Sequence, residues 1–255
     1  MAQSKQTHFG FKEVAIEEKA PLVQGVFQSV AGRYDLMNDL MSMGVHRLWK
    51  DHLIDQIKPR EGQRFLDVAG GTGDIAFRIL DAIFQRQRHV NQSRVSVLDL
   101  TEAMLIEGRN RAQTLPFTDR LDWQVGDAMA LPFPDHSFDV YTIAFGLRNV
   151  TEPAAALREG YRVLKPGGRL FCLEFSKVVL PVFDRLYDSY SFNLLPKLGQ
   201  WVTGDADSYQ YLVESIRQFP NQDALASLFR EAGLERVRYS NLSGGIVAIH
   251  QGWRL

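Results

Sequence analysis

The sequence has little cysteine and no surplus of charge. Cys172 is the single cysteine in 255 residues, so no disulfide forms within the chain and a reducing compartment suits it. Its thiol lies in an apolar run with no base beside it, which indicates a core residue rather than a nucleophile. The formal net charge of -1 excludes an overall basic field, so nucleic acid is not an expected partner.

Long apolar runs and metal-ligand spacings are also absent. Among the longer uncharged runs is 178–183, far short of the roughly 18 residues that span a bilayer, so any membrane contact is expected to be peripheral. Glu13, Glu17 and Glu18 come early and argue against a signal or transit segment, so we expect a cytoplasmic protein. The six histidines show no spacing such as H-E-x-x-H, and no metal is predicted.

What the sequence does contain is an alternation of short β-branched or aromatic runs with helical patterns, typical of βαβ units. Five predicted parallel strands are Arg64–Val68, Arg94–Asp99, Leu121–Val125, Phe138–Ala144 and Arg169–Phe175. Leu234–Tyr239 and Ile246–Gln251 flank the turn Ser243–Gly245 and predict an antiparallel hairpin. The predicted fold is α/β, a doubly wound, mostly parallel seven-stranded sheet that ends in this hairpin.

Two segments lie outside the predicted sheet. Residues 1–60, helical in pattern around 23–57, are predicted to form an N-terminal cover, and 61–255 the main domain. Residues 178–216 are predicted to form a helical lid or substrate insertion, since long insertions usually cover an active site. The aromatic residues that recur at near-helical spacing in that insertion either pack in the core or line an apolar substrate pocket.

A glycine-rich loop follows the first predicted strand. Gly71–Ala76 fits the pattern G-x-G-x-x-A, in which Gly70, Gly71 and Gly73 let the backbone approach a ligand at a helix N-terminus. The spacing alone does not separate a nicotinamide dinucleotide from S-adenosylmethionine. Asp67, just before the glycines, would repel a pyrophosphate and attract a sulfonium and an ammonium, which favours S-adenosylmethionine.

Further carboxylates lie at the ends of the next two strands. Asp99 is placed to accept both hydroxyls of a ribose, a role that both cofactor classes share. Asp127 could accept the adenine amino group while the N–H of Ala128 binds a ring nitrogen. Each aspartate taken singly could instead cap the next helix. Three carboxylates at consecutive strand ends, where open α/β sheets bind ligands, favour a cofactor site.

Several motifs resemble those of the ubiquinone/menaquinone biosynthesis C-methyltransferase family over nearly the whole chain. The motifs are His8–Phe11, Tyr34–Asn38, Ser42–Lys50, Asp67–Asp74, Ala130–Phe133, Phe145–Val150, Tyr161–Gly168, Leu173–Ser176 and Asp207–Ser215. The resemblance implies the Rossmann-like class I methyltransferase fold and C-methylation of a polyprenylated benzoquinol, of the 2-methoxy-6-polyprenyl-1,4-benzoquinol type, or of demethylmenaquinol. It also implies S-adenosylmethionine contacts from Thr72, Asp99, Asp127, Ala128 and Ala144, where Ala144 replaces a serine of many bacterial members.

The resemblance puts Arg148 and Asn149 at the reaction centre as catalytic residues. Methylation of an aromatic carbon needs an electron-rich ring, which ionisation of a ring hydroxyl provides. An arginine is a poor base because its pKa exceeds about 12. We therefore expect Arg148 to stabilise a phenolate and Asn149 to orient the ring oxygen, with His46, His136 and Asp74 as alternative bases.

The sequence carries less information about the substrate pocket and the partners than about the cofactor site. The tyrosines predicted to close over the site or to line it are Tyr34, Tyr187, Tyr190, Tyr209 and Tyr211. An insoluble polyprenyl tail implies peripheral contact with a membrane or with a quinone-biosynthesis complex, and a homodimer is also expected. The alternatives are a nicotinamide oxidoreductase, a scaffold without activity, and a methyltransferase for a sterol or phospholipid.

Overall fold

A computed structural model describes residues 6–30, 39, 42, 44–87, 90–178 and 206–255. Its strands are β1 (Gln6–Phe9), β2 (Lys12–Ala15), β3 (Arg64–Val68), β4 (Arg94–Asp99), β5 (Leu121–Val125), β6 (Phe138–Ala144), β7 (Leu164–Phe175), β8 (Glu235–Leu242) and β9 (Val247–Trp253). Its helices are α1 (Ile16–Val30), α2 (His46–Ile57), α3 (Asp74–Gln87), α4 (Glu102–Ala112), α5 (Pro153–Val163), α6 (Ala206–Gln218) and α7 (Gln222–Glu231). Short 3-10 turns include Leu147–Asn149 and Ser243–Gly245.

The main sheet has seven strands in the order β5-β4-β3-β6-β7-β9-β8. β3 to β7 are parallel, and β9 runs antiparallel to both of its neighbours. The predicted mostly parallel sheet with an antiparallel C-terminal hairpin is therefore confirmed. Strand order reverses between β3 and β6, and such a switch point is where open α/β sheets bind ligands.

The central strands read as apolar runs because helices cover both faces of the sheet. Phe65 and Val140 face a core cluster that includes residues of α2, α3, α4 and α6. Leu66 and Tyr141 face a second cluster with residues of α5 and α7. Side chains on neighbouring positions of one strand thus enter opposite cores, which fixes the register and with it the strand ends that form the site.

Two connections differ from the prediction. No helix follows β5; the loop 126–137 instead contains the isolated bridge between Asp127 and Ala130. β7 begins at Leu164 rather than Arg169, because the segment before Arg169 is already paired with β6 across a register irregularity. Neither difference moves the carboxyl ends of the strands.

The predicted N-terminal cover, helical in pattern around 23–57, also contains two strands that the sequence pattern did not indicate. β1 and β2 form an antiparallel hairpin that pairs Gln6 with Ala15 and Phe9 with Lys12, and α1 follows directly. Strands of four residues carry little periodic signal, which explains why these two were not predicted. Among the residues described, no helix is long and apolar enough to cross a membrane. Most of the predicted lid, 178–216, lies outside the described residues; its last part belongs to α6.

Candidate active site

An open cleft of about 740 Å³ lies at the carboxyl ends of β3, β4 and β6 and is covered by α1. Val23 and Phe27 of α1 line it from above, and Gln24 Nε2 donates a hydrogen bond to the carbonyl oxygen of Leu100 at 2.9 Å. From the sheet side the cleft is lined by Gly71, Asp99, Met104, Asp127, Ala128, Met129, Phe145 and Asn149, among others. The cleft therefore contains most of the predicted adenosine contacts.

The glycine loop turns tightly between β3 and α3. The N–H of Gly71 donates to Asp99 Oδ2 at 2.9 Å, which ties the loop to the end of β4. Gly73 has a φ of +83°, and a Cβ there would lie 2.6 Å from Trp123 Cη2. Only glycine fits such a position, because both the backbone conformation and the lack of space exclude a side chain. The loop thus leads into the N-terminus of α3 at Asp74.

Asp99 and Asp127 both face the cleft. Asp99 accepts the N–H of Thr101 on Oδ1 at 2.8 Å and that of Gly71 on Oδ2 at 2.9 Å, so the carboxylate is held at the end of β4 where it borders the cleft. Burial raises the pKa of Asp99 to about 6 against the opposing backbone hydrogen bonds. Asp127 accepts the N–H of Met129 at 2.8 Å and precedes no helix, so the capping alternative fails for it.

A second cavity, of about 360 Å³, adjoins the glycine loop and is lined by Asp67, Thr72 and Ala144. Asp67 is 1% exposed; its Oδ1 accepts the hydroxyl of Thr142 at 2.8 Å, while its Oδ2 has no hydrogen-bond partner within the described part of the chain. Burial raises the pKa of Asp67 to about 7. A buried carboxylate oxygen without a partner beside a cavity fits a cationic ligand group.

Lys50 is a residue of this cavity that sequence reasoning left without a role. Its side chain is 6% exposed, and its Nζ lies 2.7 Å from Asp74 Oδ2. Burial acts to raise the pKa of Asp74, but Lys50 and Arg78 together hold it at about 2. The helical period was the missed signal, because Lys50 falls on the buried face of α2 between Trp49 and Leu53.

The side chains of the predicted pair, Arg148 and Asn149, lie in different surroundings in the structure. Asn149 lines the cleft, and its Oδ1 accepts the hydroxyl of Tyr211 at 3.0 Å. Arg148 is 7% exposed and is not among the residues that line the cleft; its Nη1 lies 2.7 Å from Glu174 Oε1 and donates to the carbonyl of Phe145 at 2.6 Å. Burial raises the pKa of Glu174, which the guanidinium opposes. Arg148 therefore lies behind Asn149 in a buried ion pair.

The remaining predicted residues divide into three groups. Thr72 lines the second cavity, where its Oγ1 accepts a hydrogen bond from Arg111 at 2.8 Å, and Ala144 lines the same cavity. Tyr209 is 1% exposed, belongs to the core cluster and lines neither cavity, because its helix turns it inward. Tyr34, Tyr187 and Tyr190 lie outside the described residues.

The alternative bases are poorly placed or poorly suited. The ring of His46 is buried and bonded to Asp39 at 2.9 Å, and burial lowers its pKa. His136 precedes β6 and so lies at the opposite edge of the sheet. Asp74 is held as an anion by its ion pairs. Over the described ranges no cluster of three or more histidine, cysteine or acidic residues could hold a metal ion.

Solved structures of methyltransferases have the same fold. The chain matches a SAM-dependent methyltransferase from Thermotoga maritima with a TM-score of 0.64 and 19% identity, over 91% of this chain and 100% of that one. It matches a SAM-dependent methyltransferase from Aquifex aeolicus with a TM-score of 0.57 and 16% identity, over 81% and 89%. The predicted class I methyltransferase fold is therefore confirmed.

Named relatives are far more similar in sequence. The ubiquinone/menaquinone biosynthesis C-methyltransferase UbiE of Roseobacter denitrificans is 57% identical over 99% of this chain and 98% of that protein, and that of Paracoccus denitrificans is 59% identical over the same shares. The mitochondrial 2-methoxy-6-polyprenyl-1,4-benzoquinol methylase of Danio rerio is 50% identical over 99% and 86%. The model of the ubiE/COQ5 methyltransferase family matches residues 12–254, and the chain belongs to that family.

Proposed function

We propose that this protein transfers the methyl group of S-adenosylmethionine to a ring carbon of a polyprenylated quinol. The acceptors are a 2-methoxy-6-polyprenyl-1,4-benzoquinol and demethylmenaquinol, the compounds to which the names of its relatives refer. The observation that carries the proposal is identity of 57–59% to quinone-biosynthesis C-methyltransferases over nearly their whole length. Family membership also decides against the nicotinamide oxidoreductase.

The described residues fit the cofactor at both of its ends. Asp99, Asp127 and Ala128 line the cleft and would hold the adenosine. Asp67, with its unpartnered Oδ2, and Lys50 line the second cavity, and would hold the ammonium and the carboxylate of the methionine part. When bound, S-adenosylmethionine supplies an electrophilic methyl group.

For a ring carbon to form a bond to the methyl group, one ring oxygen must be ionised, and the hydrogen of that carbon then leaves as a proton to solvent water. Asn149 faces the cleft and can donate a hydrogen bond from Nδ2 to that oxygen. The positive charge of Arg148, the residue before Asn149, is buried behind that asparagine. In such an environment an electrostatic interaction is weakened less with distance than it is in water. Asn149 thus orients the phenolate and Arg148 contributes to its stabilisation, with Glu174 limiting the net charge.

The test is incubation of the purified protein with methyl-labelled S-adenosylmethionine and short-chain demethylated benzoquinol or naphthoquinol. We expect one labelled methyl group on a ring carbon, identified by mass spectrometry of ring fragments. A sterol and a phospholipid serve as competing acceptors. Label on either of these alone, or on an oxygen, would contradict the proposal, and no label at all in any acceptor would favour the scaffold.

The water-insoluble tail also bears on where the protein works. We propose that the acceptor is taken from a membrane surface or from a partner in a quinone-biosynthesis complex, with the protein in peripheral contact. Flotation with vesicles that contain long-chain quinol tests the membrane alternative, and we expect the protein to rise with them. The predicted homodimer stays a prediction.

A further inference from the structure

Two motifs of the sequence take no part in the cofactor cavities, and the structure brings them together. They lie in the hairpin β1–β2 and in helix α6. The ring of Phe9 stacks on that of Tyr211, with centroids 4.2 Å apart and planes inclined by 17°. The N–H of Phe11 donates to Glu214 Oε2 at 3.0 Å, which joins residues 203 positions apart. The hairpin is thus fastened to α6 at two points on one side of the helix.

The fit between hairpin and helix is close. Gly10 turns the hairpin with a φ of +59°, and a Cβ at this position would overlap the carboxylate of Glu214. Glu214 is itself held by a hydrogen bond from Gln210 Nε2 at 2.8 Å. The hairpin therefore sits against α6 in one defined position rather than loosely over it.

Tyr211 carries this contact into the active site. It is 4% exposed, and its hydroxyl donates to Asn149 Oδ1 at 3.0 Å. An asparagine amide offers an acceptor on one side and two donors on the other, and rotation about its last torsion exchanges them. With Oδ1 engaged by Tyr211, the Nδ2 group is the one left to bind a ligand.

We infer that Tyr211 is a positioning residue which, held by the hairpin through Phe9, orients Asn149 so that Nδ2 faces the oxygen of the methyl acceptor. The inference rests on the proposed function, in which Asn149 binds that oxygen. An ionised quinol oxygen only accepts hydrogen bonds, so the reversed amide would present the wrong group to it. Orientation before binding saves the entropy that would otherwise be lost in the transition state.

Removal of one oxygen atom tests the inference. Tyr211→Phe is expected to lower kcat about tenfold, with a much smaller change in KM, because an alignment fault of this kind acts mainly on the reaction step. The affinity for S-adenosylhomocysteine, measured by calorimetry, is expected to stay within about twofold, which is a small free-energy change. Tyr239→Phe is the matched control, since Tyr239 lies on the exposed strand β8 and the change removes a hydroxyl that donates a hydrogen bond to Asp223 of α7.

A second readout needs neither cofactor nor acceptor. In the ¹⁵N-labelled free protein, the side-chain NH₂ signals of Asn149 are identified by their loss in Asn149→Asp. Tyr211→Phe is expected to shift these signals, and Tyr239→Phe to leave them in place. This arm stays informative even if no quinol is methylated, so a failure of the proposed function is distinguishable from a failure of the inference.

The part played by the hairpin is tested with Phe9→Leu, which keeps an apolar side chain but removes the stacked ring. We expect a fall in kcat in the same direction as for Tyr211→Phe, and no further fall when both changes are combined. Independent losses that multiply would overturn the role of the hairpin. The whole inference is overturned if Tyr211→Phe leaves kcat and the Asn149 signals unchanged. It is also overturned if the variant has a clearly lower melting temperature and loses cofactor affinity by the same factor as kcat, because the effect would then be a general loss of structure.

Discussion

The two halves of the ligand edge are assembled in different ways. The part proposed to bind the cofactor, which we call the cofactor half, comprises residues 67–74, 99–104 and 126–129. It is built from strand ends and the loops that follow them directly; for example, the N–H of Gly71 donates a hydrogen bond to Asp99, 28 positions further along the chain. The other part, formed by Phe9, Lys19, Arg148, Asn149 and Tyr211, surrounds the proposed binding position of the acceptor; we call it the acceptor half, and it is held by contacts between distant segments. Lys19 Nζ, for example, donates to the carbonyl of Val150 across 131 positions, at 3.0 Å.

The difference teaches which features of a site a sequence can reveal. In the cofactor half, short loops and a parallel sheet determine where each side chain lies, so residue type and order suffice. In the acceptor half, the position of a side chain depends on how whole helices and the hairpin pack. The following changes test this contrast, from the largest expected effect to the smallest.

The largest expected effect is a loss of stability in the acceptor half when the partner of a buried charge is removed. Glu174→Ala leaves the guanidinium of Arg148 buried without its ionic partner, and should lower the free energy of unfolding by about 3 to 5 kcal/mol. Urea denaturation measures this. The control is Asp122→Ala, which removes the partner of Arg94 in an exposed pair and should cost no more than about 1 kcal/mol. Similar losses in both variants would show that burial of the Arg148 pair has no special weight.

The next largest effect is expected in the cofactor half, from steric overlap at Gly73. Gly73→Ala puts a Cβ against Trp123, whereas Gly167→Ala has nearly the same φ, +82°, with nothing within 4 Å. Both variants carry the backbone strain, so their difference reports the overlap with the tryptophan, about 1 to 3 kcal/mol in the free energy of unfolding. Calorimetry with S-adenosylhomocysteine should also give a Kd raised at least about tenfold for Gly73→Ala alone. Equal behaviour of the two glycine variants would contradict the close approach.

The charge of Asp67 predicts a pH dependence specific to the cofactor half. The pKa of Asp67 in the folded protein, about 7, exceeds the ordinary value of 3.8. Between these two pH values the folded state therefore holds a proton that the unfolded state has released. As a result, the contribution of Asp67 to the stability of the free protein falls as pH rises from 3.8 to about 7. The ionised form binds an ammonium group better, and S-adenosylhomocysteine has the ammonium of the cofactor although it lacks the sulfonium charge. Affinity for S-adenosylhomocysteine should therefore rise about tenfold from about pH 6 to about pH 8.

Asp67→Asn is the control for this prediction, because it cannot ionise. It should remove most of the rise in affinity and leave the smaller part that comes from Asp99, whose pKa of about 6 is also raised by burial. An unchanged rise in Asp67→Asn would assign the pH dependence to another group.

The smallest effect is expected where α1 covers the cleft. Gln24→Ala removes the hydrogen bond to the Leu100 carbonyl and should weaken cofactor affinity about two- to fivefold, the usual net value of one such bond. Gln28, exposed on the same helix, gives the matched control Gln28→Ala. If Gln28→Ala weakens binding equally, the effect belongs to the helix as a whole rather than to this contact.

Much of the fold was predictable because the central strands are marked by composition alone. The bounds predicted for β3, β4, β5 and β6 agree with the structure, and Asp99, Asp127 and Ala128 face the cleft as their places at strand ends predict. The β1–β2 hairpin was missed because its strands are too short for a periodic signal. The burial of Arg148 against Glu174 was not predictable, because no local pattern indicates which residue of β7 will lie beside the turn after β6.

The place of β9 has a consequence for synthesis. Its residues, 247–253, are made after those of every other described strand, yet β9 lies between β7 and β8 inside the sheet. Until these residues leave the ribosome, β7 is an open edge and β8 has no partner in the sheet. Open edges invite pairing with other chains. Truncations or slow codons within the final strand should therefore promote aggregation of the nascent protein far more than their distance from the active site would indicate.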